Sequence, residues 1–479
     1  MQKYIPFIGP SYVYRSVQYD AQRSINLIPV KSESGDSKTP SLFIGSPGIS
    51  LFATVGSGPI RNTWNVNGRL FVVSGSGLYE VFSNGTSTLY GTLYTSSGVV
   101  GMADNGVQLC IVDGVYGYIL TIATNAFTGI SSVGWAGSYS VDFIDGYFVF
   151  VKPNSGQYYI SALYDGLVID PLDFATAEGS PDGLVTAAVI HQNIWLFGSQ
   201  TIEIHYDSGA AAFPFSPIQG AFIENGCGAI SSVAKTANSI YWLYSGKGGD
   251  SIVFEASGYQ PKRISTDAIE AKIRASGTVS TAKGFTYQED GHFYYALNIS
   301  GLDTTLVYDV AMQQWHERAY FDAASSSYMR QLQDNHVFVF NKHLVGDYRN
   351  GKIYEQSLNI YSDNGDAIRR ERTSPHIANN LNQVVYKSFQ PDMEVGIGLD
   401  GSPATEDSEP LVTLECSNDG GRTYGNQRQA TAGKIGKTRQ RVRWTQLGRA
   451  RDRVHKISIV SRAKIAIYGA AIDAEALND

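Results

Sequence analysis

Lysine and arginine residues crowd into one segment near the end of the sequence, where they could bind phosphate or carboxylate groups. Residues 422–464 hold thirteen Lys or Arg and one acid, Asp452, while the rest of the chain carries 24 basic and 43 acidic residues. These cations could contact DNA phosphates, form salt bridges with the acidic body of a neighbouring subunit, or remain an ordinary solvated face. Base-stacking aromatic residues are scarce around them, which disfavours binding of single-stranded nucleic acid.

Apolar and basic side chains alternate within this segment, as they do along half-buried strands. In RARDRV, residues 449–454, the arginines fall on one face and Ala450 and Val454 on the other. The pattern predicts a small antiparallel sheet over residues 384–479 with one apolar and one basic face. The candidate patch, facing another subunit or DNA, comprises Arg439, Arg441, Arg443, Arg449, Arg451 and Arg453.

Other residue types that support chemistry are scattered along the chain. Eight histidines stand singly, and three cysteines, Cys110, Cys227 and Cys416, lie far apart. An odd number of distant cysteines excludes a disulfide framework and a zinc site of four thiolates. The sequence also lacks a phosphate-binding loop, a dinucleotide fingerprint, an HExxH helix and a GxSxG elbow. We therefore expect no metal centre and no cofactor.

The composition predicts which elements position these residues. Of the 479 residues, 43% are hydrophobic and only 17% charged, and Gly (50), Tyr (30) and Phe (21) are abundant. Coiled coils, long-helix proteins and disordered chains carry more charge. No signal peptide or run of about 18 apolar residues occurs, which predicts a soluble, unsecreted protein without membrane insertion. The balance favours an all-β protein of aromatic strands joined by glycine turns.

One pattern recurs seven times along the chain: Asn or Asp, often with Gly, then an apolar run, a turn and a second apolar run. The starts are separated by 38 to 52 residues and lie at positions 67, 105, 145, 193, 238, 290 and 335. Both strands of each hairpin are mostly apolar, so neighbouring sheets must cover both faces. Periods of about 40 to 50 residues are typical of β-propeller blades. We predict a propeller of seven units over residues 55–360, with six blades as the alternative.

The remaining segments divide the chain further. Residues 1–54 hold five prolines spaced too closely for a helix, which indicates an extended arm packing on the body. Residues 361–383 are polar and predict a linker, followed by the basic domain over 384–479. TDAIEAKIRAS, at 266–276, is the best helical candidate.

A single turn motif suggests an alternative function. Residues 417–424, SNDGGRTY, resemble the Asp box of sialidases, in which the Asp caps a hairpin turn and glycines allow positive φ. We expect Asp419, Gly420 and Gly421 to be structural, without a catalytic role. A sialidase would need several boxes within the propeller and an axial cluster of arginines. A propeller-type glycan hydrolase is nevertheless an alternative, and a receptor-binding module is another.

Several segments in order along nearly the whole chain resemble the packaged-DNA stabilisation proteins of short-tailed bacteriophages, also called tail hub or tail accessory factors. The segments that carry the resemblance are NLIPV (26–30), GSPGI (45–49), SPDGLV (180–185), FGSQTIE (197–203), RISTDAIE (263–270), LVYDVAMQQW (306–315), NDGGRTYG (418–425) and LGRARDR (447–453). The resemblance implies a non-enzymatic virion protein with a β-propeller, and it transfers no catalytic residue to this chain.

The same resemblance implies partners and a location. It implies a hexameric hub below the portal or its adaptor that closes the channel for double-stranded DNA and stabilises the packaged genome. Tailspikes or fibres and a tail needle or tip are the further partners that it implies. The protein would then belong to the phage tail in the virion and to the host cytoplasm during assembly.

Overall fold

The computed structural model describes residues 2–34, 36–177, 179–399 and 407–477. Strands dominate these residues, and the helix predicted at 266–276 is confirmed over Asp267–Ala275. Thr266 caps this helix because its side chain accepts a hydrogen bond from the backbone N–H of Ile269. A short 3-10 helix covers Ile230–Ser232. None of the helices in the described ranges has the length and hydrophobicity that a membrane span needs.

Seven four-stranded antiparallel sheets form a propeller, so the seven-unit prediction is confirmed and the six-blade alternative is dropped. Neighbouring blades meet along their innermost strands, except that blades 4 and 5 pack through a shared core that includes Phe197 and Trp242. The strands of each blade are given from the innermost to the outermost. Blade 1 contains Ile60–Val66, Arg69–Ser74, Gly77–Val81 and Ser87–Thr92, and blade 2 contains Gly101–Asp104, Gln108–Val112, Gly117–Thr121 and Ala126–Gly129. Blade 3 contains Val141–Ile144, Tyr147–Val151, Gln157–Ile160 and Phe174–Thr176.

The strands of blades 4 to 7 follow the same inner-to-outer order until the last blade. Blade 4 contains Leu184–Ile190, Asn193–Gly198, Ile202–Asp207 and Phe215–Ile223, and blade 5 contains Ala234–Lys235, Ile240–Ser245, Ser251–Ser257 and Gln260–Arg263. Blade 6 contains Lys283–Glu289, His292–Asn298, Thr305–Asp309 and Gln314–Asp322. Blade 7 contains Gln333–Val339, Lys342–Asp347, Lys352–Ser357 and Gly48–Thr54. The outer strand of blade 6 also forms a hairpin with Ser327–Arg330.

The turn between the first and second strands of each blade accounts for the sequence repeat. Asn67-Gly68, Asp145-Gly146 and Asp290-Gly291 occupy this turn in blades 1, 3 and 6 with positive φ at both positions, as type I′ turns require. In blade 7 the turn is Phe340-Asn341, whereas Asn335, predicted to open that unit, lies inside the innermost strand. The predicted hairpins of blades 1, 3 and 6 are therefore the second and third strands of their blades.

Blade 7 is closed by a strand from the beginning of the chain. Gly48–Thr54 pairs antiparallel with Lys352–Ser357, placing Ile49 opposite Gln356. This strand falls within the predicted arm 1–54, so the propeller includes part of that segment. Closure by a distant strand removes the free edge that blade 7 would otherwise expose.

A two-sheet sandwich replaces the single sheet predicted over residues 384–479. The first sheet contains Lys3–Ile5, Leu27–Lys31, Ser41–Gly45, Val384–Met393, Trp444–Thr445, Arg449–Ala450 and Ala466–Ala476. The second contains Ser24–Ile25, Asp366–Thr373, Ile377–Ala378, Leu411–Ser417, Arg428–Thr431 and Asp452–Ser461. The apolar faces meet in one core, where Phe7, Leu27 and Phe43 pack with Trp444 and Ile457.

The sandwich also differs from the predicted arm and linker. Within the first 54 residues, Ser24–Ile25, Leu27–Lys31 and Ser41–Gly45 are sandwich strands, because apolar side chains such as Leu27 and Phe43 complete the sandwich core. Tyr12–Val13 pairs with Ala21–Gln22 in a docked hairpin. Pro29 is tolerated there because its strand lies at the end of the first sheet. The predicted linker 361–383 contains the strands Ser362–Asp363, Asp366–Thr373 and Ile377–Ala378.

The propeller and the sandwich share a continuous sheet. The outer strand of blade 6 pairs with Ser24–Ile25, which in turn pairs with Asp366–Thr373 of the second sandwich sheet. The outer strand of blade 7 pairs with Ser362–Asp363. From this junction the second sheet runs outward and ends at Arg428–Thr431. The sandwich is therefore fastened to blades 6 and 7, and its last strands lie farthest from them.

Candidate functional site: the basic edge of the sandwich

Five of the six candidate arginines lie on one exposed edge of the sandwich. After Arg428–Thr431, the last strand of the second sheet, the chain crosses to Trp444–Thr445 and Arg449–Ala450, which lie at the edge of the first sheet. Val442 and Trp444 are buried in the core along this crossing. The exposed arginines beside them are Arg439, Arg441, Arg443, Arg449 and Arg451. We call the surface formed by residues 428–451 the basic edge.

The cations of the basic edge have few partners within the subunit. Arg443 donates to the Ser388 hydroxyl at 3.1 Å, and Arg451 donates to the Leu381 carbonyl at 2.6 Å. Arg439, Arg441 and Arg449 form no ion pair with any residue that the structure describes. Exposed guanidinium groups in this state can bind carboxylates or phosphates of another molecule.

Other cations of the 422–464 segment are neutralised locally. Lys456 pairs with Glu415 at 2.9 Å, Lys464 pairs with Glu394 at 3.3 Å, and Arg462 pairs with Asp407. These lysines and this arginine lie outside the basic edge. The surplus of positive charge seen in the sequence is thus concentrated on residues 428–451.

Arg453 does not belong to the exposed patch. Its side chain is 2% exposed, donates to Asn418 at 2.7 Å and to the Leu447 carbonyl at 2.6 Å, and lies over the Tyr386 ring. The predicted alternation fails at this residue because the chain passes from the first sheet to the second between Ala450 and Asp452. Burial lowers the pKa of the Arg453 guanidinium, and its role is to hold the crossing in place.

Asp419 organises a tight turn at the end of the Leu411–Ser417 strand. Its carboxylate accepts hydrogen bonds from the Ser417 hydroxyl at 2.7 Å, from the Thr423 hydroxyl at 2.6 Å and from backbone N–H groups including that of Arg422. These hydrogen bonds, those of Ser417 and Thr423 first, hold the pKa of Asp419 well below its usual range. Gly420 and Gly421 have φ of 74° and 93° and pack against Gln18 and Ala21 of the N-terminal hairpin.

Replacement of Asp419 by alanine should loosen this turn without unfolding the protein. The variant loses every hydrogen bond that the carboxylate accepts, so the amides of residues 421–424 should exchange with solvent about tenfold faster. Hydrogen–deuterium exchange with mass spectrometry measures this, and Asp322→Ala, which removes a cap from another exposed turn, is the control. Unchanged exchange in 421–424 would contradict the structural role.

A cavity of about 480 Å³ lies on the propeller axis between the innermost strands. Arg61 is the one arginine among its described lining residues, and its guanidinium donates to the carbonyls of Gly75, Thr95 and Ser97. Lys283 pairs with Asp334 at 3.2 Å. The axial cations are thus engaged within the fold, unlike the arginine cluster that a sialidase needs to bind its substrate.

Glu317 is a structural centre that the sequence does not reveal. This carboxylate, 5% exposed on the outer strand of blade 6, accepts hydrogen bonds from Ser11 at 2.8 Å, Arg23 at 3.0 Å, Lys272 at 2.5 Å and Thr304 at 2.9 Å. Its partners come from the N-terminal segment, the helix and blade 6. Burial alone would raise the pKa of Glu317, but Arg23 and Lys272 outweigh it and hold the pKa well below its usual range. No local pattern could predict this cluster, because its members are up to 306 residues apart.

Histidine, cysteine and acidic side chains do not converge on a metal site in the described residues. Cys110 and Cys227 are buried free thiols whose pKa values are raised by burial. His336 and His343, which the sequence presents as isolated residues, lie side by side on neighbouring strands of blade 7, with 3.0 Å between His336 Nε2 and His343 Nδ1. Desolvation and the neighbouring ring lower the pKa of His336 to about 3, so this pair is neutral at physiological pH.

Solved structures that are similar to the chain match it at low identity and with low TM-scores. The computationally designed Ika8 protein is 11% identical, with 64% of this chain and 99% of that chain covered and a TM-score of 0.39. The N-terminal domain of Nup159 is 9% identical, with coverages of 70% and 99% and a TM-score of 0.41. The extracellular domain of the hybrid two component system BT4673 from B. thetaiotaomicron is 8% identical, with coverages of 73% and 43% and a TM-score of 0.44. No curated protein sequence matches the chain.

Family comparison agrees with both domains of the structure. A sequence model described as bacteriophage P22 Gp10, beta-propeller, matches residues 3–361, and one described as bacteriophage P22 Gp10, beta-sandwich, matches residues 369–475. Together they cover nearly the whole chain, in the same order as the propeller and the sandwich. The chain therefore belongs to the bacteriophage P22 Gp10 family, whose members are structural proteins of the phage tail.

Proposed function

We propose that this protein is one of six identical subunits of a tail hub that closes the DNA channel of a short-tailed phage and keeps the packaged genome in the head. The observation that carries the proposal is the match of both domains, in order, to the P22 Gp10 family. The hub lies below the portal or its adaptor ring. It offers attachment sites for tailspikes or fibres and for the tail needle or tip.

The construction of the subunit supports a mechanical role in resisting DNA pressure. Each blade packs between two others, and the ring is closed by hydrogen bonds between Gly48–Thr54 and Lys352–Ser357. The shared sheet between blade 6 and the sandwich resists hinge motion, because bending there would break backbone hydrogen bonds. A stiff body of this kind distributes the pressure of packaged DNA over many contacts.

The charge distribution supports a channel role as well. Outside residues 422–464 the chain carries 24 basic and 43 acidic residues, so most of its surface repels DNA phosphates. A repelling wall would let double-stranded DNA pass without the uniform attraction that would stall it. The protein would act in the virion tail after assembly in the host cytoplasm, and it needs no enzymatic activity for this function.

The test of the proposal is a phage with a stop codon in the gene for this protein. We expect its heads to package DNA and then lose it, so that purified heads retain far less genome than wild-type heads. Quantitative PCR on nuclease-treated particles measures the retained DNA, and the same phage complemented by a plasmid copy of the gene is the control. Heads that keep their DNA but fail to adsorb would contradict the closure role and favour a receptor-binding module. Release of reducing sugar from host polysaccharide by the purified protein would favour a hydrolase.

A further inference from the structure

The outer part of blade 3 exposes apolar side chains. The loop between its third and fourth strands presents Leu163, Tyr164 and Leu172 with exposed fractions of 55%, 65% and 79%, and Val168 and Phe174 are exposed beside them. Leu163 and Tyr164 both lie over Gly146, at the turn between the first two strands. Soluble proteins rarely expose apolar side chains in such a group unless a partner covers them.

Carboxylates without cations border this apolar group. A groove of about 410 Å³ between blades 3 and 4 is lined by Leu163 together with Asp145, Asp173 and Asp207. None of the three aspartates forms an ion pair with a residue that the structure describes. Burial, and then the nearby charge of Asp170, raise the pKa of Asp173. We call the groove and the adjoining apolar side chains the blade 3 surface.

The basic edge is complementary to the blade 3 surface in charge and in its exposed apolar side chains. It carries Arg439 and Arg441, which lack ion pairs among the described residues, and its crossing segment exposes Ile435 by 59%. Lys434 and Lys437 are exposed on either side of this isoleucine. A positive surface with an apolar centre can therefore meet a negative surface with an apolar border.

The two surfaces lie at opposite ends of the subunit. The sandwich is fastened to blades 6 and 7, and in a ring of seven blades, blade 3 lies across the axis from that junction. The strands of the basic edge are the last strands of both sandwich sheets, so they lie on the side of the sandwich that is farther from the propeller. One subunit therefore cannot bring its own basic edge to its own blade 3 surface.

We infer that the basic edge of one subunit docks on the blade 3 surface of a second copy of this chain. The contact is head to tail, and contacts of this type form closed rings when the rotation between copies closes. This inference rests on the self-assembly in the proposed function and assigns its interface. It also gives the basic edge a protein partner rather than DNA.

Charge-reversal variants of the full-length protein test the inference. Variant A carries Asp173→Lys and Asp207→Lys, and variant B carries Arg439→Glu and Arg441→Glu. We expect the wild type to self-associate in low salt, where surface charges are least screened, and each variant alone to associate at least about tenfold more weakly. An equimolar mixture of A and B should recover association, because each new charge meets its opposite. Sedimentation velocity measures the species, and circular dichroism verifies that both variants fold.

The matched control is Lys31→Glu with Lys247→Glu, which makes the same charge change as variant B at exposed lysines outside both surfaces. This control should associate as the wild type does. A wild-type chain that stays monomeric in low salt, or variants A and B that associate normally, would overturn the inference. Failure of the association experiment would not change how much DNA the mutant phage heads retain, so the proposed function would stand. Conversely, phage heads that retain their DNA without this protein would overturn the proposed function, but they would not affect an interface measured between purified subunits.

Discussion

Replacement of Arg372 by methionine should detach the N-terminal segment and destabilise the sandwich by roughly 3 kcal/mol. The Arg372 side chain is fully buried and donates to the carbonyls of Phe7 and Pro10 and to the Gln22 side chain, at 2.9, 2.9 and 2.7 Å. Methionine fills much of the same volume but leaves these three acceptors without their donor, and the Phe7 carbonyl among them is buried. Limited proteolysis within residues 7–22 and urea denaturation measure the two effects.

The control for Arg372 is Arg441→Met. Arg441 is exposed and forms no ion pair with a residue that the structure describes, so its loss should leave the urea midpoint unchanged. Arg372→Lys should also be destabilising, because one ammonium group cannot reach three acceptors arranged around a guanidinium. Equal stability of the wild type and Arg372→Met, with an equally protected N-terminal segment, would refute the assigned role.

Replacement of Glu317 by glutamine should cost about 3–5 kcal/mol, the usual result of removing one partner from a buried ion pair. Glutamine keeps the shape of the side chain but removes its negative charge. Arg23 and Lys272 would then have the Asp303 carboxylate as their one remaining ion-pair partner among the described residues. The first parts to loosen should be the N-terminal segment and the helix Asp267–Ala275, since both are held by this carboxylate. Urea denaturation gives the free energy, and hydrogen exchange identifies the loosened segments.

The stability contributed by Glu317 should also depend on pH. Its pKa in the folded protein lies well below the ordinary value of 4.5, so folding favours the charged form. This contribution is fully present above about pH 4.5 and is lost progressively as the pH falls toward the folded pKa. The stability difference between the wild type and Glu317→Gln should therefore shrink below pH 4.5. A difference that stays constant from pH 7 down to pH 3 would contradict the ion-pair origin.

Glu475→Gln is the matched control for Glu317. Glu475 pairs with Lys387 at 2.5 Å, but both side chains are more than half exposed, and such pairs contribute little to stability because water screens them. We expect no resolvable change in the urea midpoint at pH 7. A loss comparable to that of Glu317→Gln would indicate that burial does not determine the effect.

The propeller could be predicted from the sequence because each blade is a local unit. In blades 1 to 6 the four strands follow one another along the chain, and in blades 1, 3 and 6 an Asn-Gly or Asp-Gly turn with positive φ follows the innermost strand. Blade 7 is the exception, because its outer strand, Gly48–Thr54, comes from the beginning of the chain. The helix Asp267–Ala275 was also predictable, since its cap at Thr266 and its apolar spacing lie within eleven residues. Local signals therefore sufficed for the number of blades and for the helix.

The sandwich could not be predicted to the same extent, because its strands come from both ends of the chain. Leu27 and Phe43 pack beside Trp444 and Ile457, and no local pattern connects residues so far apart. Arg370 and Arg372 make a core strand resemble a polar linker, although both are buried. Strict alternation predicts Arg453 on the exposed patch, but this alternation ends where the chain changes sheets. Long-range pairing and buried cations are thus the features that a single sequence conceals.

The strand that closes blade 7 has a consequence for how the protein is made. Gly48–Thr54 leaves the ribosome early, but its partner Lys352–Ser357 follows about 300 residues later. At ~5–20 residues per second, translation takes roughly 15 to 60 s to span this interval. During that time the early strand and the apolar segments before it wait for partners not yet synthesised. Nascent chains therefore cannot close the ring before most of the polypeptide exists, and truncated products retain an open blade.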